Sequence, residues 1–102
     1  MKALYFNEHG GINKLHFGEV DNPKLQPDEV LVRVSACALN HMDLFVLQGW
    51  AGLKIDPPHI GGADISGEIV EIGSDVMNWN PGANVVVNPG LVTVDDEWTR
   101  RG

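Results

Sequence analysis

Two runs carry the side chains able to do chemistry: Asn40-His41-Met42-Asp43-Leu44-Phe45 and Gly61-Gly62-Ala63-Asp64-Ile65-Ser66-Gly67. Glycines this close together let a backbone turn tightly or approach a neighbour. Asp64, the one acid among them, is therefore presented from constrained backbone. A carboxylate so placed either accepts backbone N–H bonds or faces a cleft. Asn40 is a good helix N-cap. His41 is the one side chain nearby that titrates around neutrality, and it falls on an exposed helical turn. Asp43 suits the orienting of neighbours by hydrogen bonds. Zinc takes thiolate, imidazole or carboxylate, so a residual metal site from His41, His59 and Asp64 is a further option. Ala63, next to Asp64, can bind no metal.

The elements around these runs are short. Ala3–Phe6 reads as a strand ended by the turn His9-Gly10-Gly11, and Leu15–Val20 alternates as a half-buried strand. Glu29–Ala38 is the strongest strand, with Val30, Val32 and Val34 on one face and Leu31, Arg33 and Ser35 on the other. Alternation then stops, and Asn40–Leu47 reads as one or two helical turns ending at Gly49. Residues 50–58 form a loop with Pro57-Pro58. A strand follows the glycine run to Gly73. Residues 83–87 read as a buried strand after Pro81-Gly82, and Leu91–Val94 as one more short strand. His9 and His16 are expected at the surface. The expected fold class is mainly β, a β-barrel or partly open β-sandwich with one short helix. Some sheet edges would be left unpaired.

Composition narrows the function classes. The chain has 102 residues, room for one small domain, and a net charge of −7. That charge argues against nucleic acid and anionic membranes, which need a basic face. Cys37 is the single cysteine, so no internal disulfide and no multi-cysteine zinc cluster is available. Its small, apolar neighbours suggest a buried thiol. No apolar run has the length of a signal peptide or of a membrane helix of roughly 18 residues. The expected location is a reducing cytoplasm.

Four segments resemble the N-terminal region of the medium-chain dehydrogenase/reductase superfamily, the alcohol dehydrogenases and quinone oxidoreductases. They are MKALYFNEHGG, VRVSACALNHMDLFVLQG, PHIGGADISGEIVEIGSDV and NPGANVVV. The resemblance implies a GroES-like, partly open β-barrel across residues 1–102. In complete members that region precedes a Rossmann domain binding NAD(H) or NADP(H). No G-x-G-x-x-G occurs here. The resemblance therefore implies a piece of an oxidoreductase that holds no cofactor alone, NAD(P)H and a small-molecule substrate belonging to the whole enzyme.

The resemblance also implies the branch and the site. In zinc-dependent members a cysteine, a histidine and an acid hold the catalytic metal. Their positions fall on Asn40, Ala63 and Asp64, which points to the zinc-independent branch and to no metal. The four cysteines of the structural-zinc lobe are absent from LVTVDDEWTRRG. By the same resemblance Asn40 and Asp64 are the candidate catalytic residues, with the Asn40 amide placed to stabilise developing oxyanion charge. His41 is the candidate cofactor contact. Asp43, Phe45 and Trp50 are candidates for the substrate cleft. Phe45 replaces a proton-relay histidine and cannot carry a proton. The alternative is a stand-alone GroES-like binding module that self-associates through its open edges into a homo-oligomer.

Overall fold

A computed structural model describes residues 1–90 of the chain. Six strands and one helix follow in the order β1 (Lys2–Phe6), β2 (His16–Glu19), β3 (Val30–Ala38), α1 (His41–Gln48), β4 (His59–Ile60), β5 (Asp64–Ile72) and β6 (Asn84–Val87), with a 3₁₀ turn at Ile12–Lys14. They form two antiparallel three-stranded sheets, ordered β2-β1-β4 and β3-β5-β6. The fold is mainly β, and no barrel closes among the described residues. The expected strand at Leu91–Val94 lies outside them. No described helix is long and apolar enough to cross a membrane.

The long β3–β5 ladder is the frame of the site. Its register shifts at Leu31/Val32 and again at Val34/Ala36. Gly67 sits opposite Val34 at the second shift, where a Cβ would collide with the Arg33 carbonyl oxygen and lie 2.8 Å from Val32 Cγ1. Only glycine lets the two backbones approach this closely. The two shifts are of opposite sense: the first leaves Val70 of β5 without a partner and the second leaves Ser35 of β3 without one, so the strict alternation expected along β3 breaks after Val34. The lower end of the ladder is fastened by Gly73 N–H to the Glu29 carbonyl and Asp75 N–H to the Pro27 carbonyl, both at 2.8 Å.

The buried apolar set is Ala3, Phe6, Leu47 and Ile69, with Ile69 only 1% exposed. Between the sheets lies an apolar groove of about 880 Å³, lined among others by Ala3, Leu31, Val32, Cys37, Ile65 and Val70. The groove corrects one expectation. Cys37 is exposed, because it lines this open groove. The strand at residues 83–87 is not buried either. Among the described residues β6 is an outer strand paired only with β5, and Val86 is 82% exposed. Strand β4 falls between the expected loop at residues 50–58 and the glycine run, where no element is expected, and pairs with Tyr5 and Phe6. It is two residues long, too short to show a pattern.

Candidate functional site

Strand pairing brings the two chemical runs together. Ala38, the last residue of β3, is opposite Asp64, the first of β5. Two residues on, Asn40 takes the N-cap of α1 with extended backbone (φ −127°, ψ 173°). It arrives beside the carboxylate, and its Nδ2 donates to Asp64 Oδ2 at 2.5 Å. The amide and the acid, 24 positions apart in the chain, thus form one unit at the mouth of the ladder.

Asp43 holds that unit in place. Its Oδ2 accepts the Asn40 N–H at 2.7 Å, the acidic half of a capping box. Its Oδ1 accepts the Gly62 N–H at 2.8 Å. One carboxylate therefore ties the start of α1 to the glycine turn that precedes Asp64. Gly62 has φ +90°, and a Cβ there would strike Cys37 Sγ. The turn can pass this close to β3 only as glycine.

Of the remaining predicted residues, His41, Asp43 and Phe45 lie on α1, Trp50 just past its end and His59 on β4. His41 is exposed and stacks on Phe45 with ring centroids 6.2 Å apart and planes at 21°. Phe45 and Trp50, each 53% exposed, line a shallow hollow of about 310 Å³ together with Met42, Gln48 and Gly49. Asp43 faces the Asn40 and Gly62 amides. His59 is on β4, its ring centroid 5.1 Å from that of Phe6. Among the described residues no three His, Cys, Asp or Glu side chains gather as metal ligands, so the His41, His59 and Asp64 grouping does not form.

The sequence reading missed His9, expected at the surface. It is half-buried, and its Nδ1 lies 2.8 Å from the Val46 carbonyl oxygen. No local signal shows this, because the partner is 37 positions away. Asp43's tie to Asn40 was legible as an acid three residues after an N-cap. Its tie to Gly62 was not.

The chain belongs to the alcohol dehydrogenase GroES-like domain family, which it matches over residues 26–101. It is 35% identical over 89 residues to a zinc-type alcohol dehydrogenase-like protein of Schizosaccharomyces pombe, covering 86% of this chain and 26% of that protein. Among solved structures it is similar to an NAD-dependent alcohol dehydrogenase at 39% identity and TM-score 0.87, over 99% of this chain and 29% of the other. It is similar also to the quinone oxidoreductase of Coxiella burnetii at 34% identity and TM-score 0.77, over 84% and 28%. The chain spans about a quarter of the length of the curated relatives it matches.

Proposed function

We propose that the chain is the substrate-side domain of a zinc-independent, NAD(P)H-dependent oxidoreductase that transfers hydride to a quinone, an enone or a similar carbonyl compound. The observation that carries this reading is the Asn40–Asp64 hydrogen bond. Where zinc-dependent members hold a metal, this chain has an amide, a methyl group at Ala63 and one carboxylate. The carboxylate is already engaged by the amide. An amide nitrogen and a methyl are not zinc ligands, so the donor set does not fit the metal and no step runs through it. One relative bears a zinc-type name; in this chain the cysteine and histidine positions of the zinc set are Asn40 and Ala63.

The Asn40 amide carries two N–H donors. Asp64 takes one and fixes the plane of the group. The other has no partner among the described residues and can donate to a substrate oxygen as negative charge develops on it. Asp64 in turn is held ready as an acceptor by the same bond. His41, exposed on the first turn of α1, is the side chain that would meet an anionic part of the nucleotide. Phe45 and Trp50 offer an apolar wall to the substrate. The nicotinamide, when bound, supplies the hydride. The chain itself orients the substrate and accommodates its charge, and alone it has no activity.

The test uses the purified 102-residue chain. After expression in zinc-supplemented medium and dialysis, elemental analysis should find under about one zinc per ten chains, and titration with NADPH should give no saturable fluorescence change at micromolar concentrations. One retained zinc per chain would overturn the branch. Tight NADPH binding would overturn the division of labour.

A further inference from the structure

We infer that His9, with the backbone of Gly10, is a positioning residue for the candidate site: it latches the C-terminal end of α1 and so fixes the wall made by Phe45 and Trp50. The inference rests on the functional reading above for the use of that wall, and on geometry alone for the latch.

Helix α1 is not held by a buried face. Of its eight residues only Leu47 is buried, and Met42, Leu44 and Phe45 lie open. A helix this short is marginal in isolation, so its ends must be tied. Asp43 ties the first end to Gly62. The last end presents carbonyls with no partner in the helix. Gly49, at φ +78°, returns its N–H to the Phe45 carbonyl at 2.8 Å. The next two carbonyls are taken by the first loop of the chain. His9 Nδ1 lies 2.8 Å from the Val46 oxygen, and the Gly10 N–H donates to the Leu47 oxygen at 2.9 Å. Two consecutive residues thus bind two consecutive carbonyls.

A carbonyl oxygen only accepts, so Nδ1 must carry hydrogen. The ring itself is confined. The Phe6 ring, part of the buried core, lies 6.0 Å away centroid to centroid. A Cβ at residue 49 would come within 2.8 Å of His9 Cγ. Gly49 also lines the hollow beside Trp50. The histidine therefore backs the segment whose other side is the candidate wall.

The 102-residue chain suits nuclear magnetic resonance. In the wild-type protein, nitrogen-15 spectra of the His9 ring should show the Nδ1–H form; a neutral ring protonated only at Nε2 would overturn the latch. His9→Leu removes the donor, whereas His9→Asn keeps an N–H on the atom attached to Cγ. His9→Leu should speed hydrogen exchange of the Gly10 amide about tenfold, the effect of losing one hydrogen bond. It should shift the Trp50 indole resonance and leave the Ile69 amide, on β5, unchanged. His9→Asn should return Gly10 exchange to within about threefold of wild type. Equal acceleration at Gly10 and Ile69 would make His9 a general stabiliser and sink the proposal, as would failure of His9→Asn to rescue. The two readings fail separately: a zinc-loaded chain refutes the functional one and leaves the latch standing, while an Nε2–H histidine does the reverse.

Discussion

The sharpest perturbation of this site is Asp43→Asn, which changes one atom in a side chain of nearly the same shape. Asp43 accepts from two backbone donors, Asn40 N–H at 2.7 Å and Gly62 N–H at 2.8 Å. An asparagine has one side-chain oxygen, so it can keep one of these bonds. The other donor must then face an NH₂ group. A hydrogen bond to a charged group contributes about 1.5–3 kcal/mol. The Asn40 end is open to water, which favours the lower part of that range, while loss of a negative charge at a helix start adds a few tenths. The expected loss is about 2 kcal/mol. For a domain of this size that corresponds to a fall in Tm of roughly 8–16 °C, at about 4–8 °C per kcal/mol. Circular dichroism gives the melting curve, and amide exchange locates the damage. Whichever donor is orphaned, Gly62 or Asn40, should exchange roughly thirtyfold faster, since 1.4 kcal/mol is a factor of ten. A Tm within about 2 °C of wild type, with both amides unchanged, would refute the view that one carboxylate joins α1 to the glycine turn.

Two further substitutions test the frame and the surface. Gly67→Ala should destabilise by roughly 1–3 kcal/mol, through overpacking against the Arg33 carbonyl and Val32. Gly18→Ala, where a Cβ meets nothing within 4 Å, should stay within about 0.5 kcal/mol; urea midpoints of the pair decide the matter, and equal midpoints would remove the argument from the bulge. At the surface, the Lys14 ammonium bonded to Glu8 at 2.7 Å holds the Glu8 carboxyl below the usual carboxylate range. A depressed folded-state value means that the pair's contribution is present above the unfolded value and is lost as pH falls through the folded one. Lys14→Met should raise the Glu8 titration midpoint toward its ordinary value in carbon-13 spectra of the carboxyl, and should make no difference to stability in strong acid.

Much of the frame was legible in the sequence because its signals are local. Alternation marked β2, the β-branched run marked β3, and Asn40 with Gly49 bracketed α1 to the residue. The burial of residues was less legible. Cys37 and residues 83–87 look like core by composition, but composition does not reveal whether a covering layer exists. Among the described residues the groove beside β3 is open and β6 is an outer strand. The bulges were equally hidden: they arise where β3 meets β5, at Ser35 beside Gly67 and at Val70 opposite Leu31 and Val32, not from the run Glu29–Ala38 itself. At the site, the sequence put Asn40 and Asp64 forward as separate candidates. That they touch depends on the register that sets Ala38 opposite Asp64, a long-range quantity no short window contains.

That dependence explains how so small a buried set can support a defined site. Packing energy is delivered at Phe6, Leu47 and Ile69, away from the chemistry. The site residues are placed by directional bonds instead: Asn40 to Asp64, Asp43 to Gly62, and His9 with Gly10 to the end of α1. Hydrogen bonds have narrow geometry and modest net energy, whereas apolar burial is larger and non-directional. The two kinds of interaction are therefore separable here. A change at Ile69 should lower stability and leave the Asn40–Asp64 contact intact in whatever fraction stays folded. A change at Asp43 or His9 should loosen that part of the molecule with the β3–β5 ladder still formed.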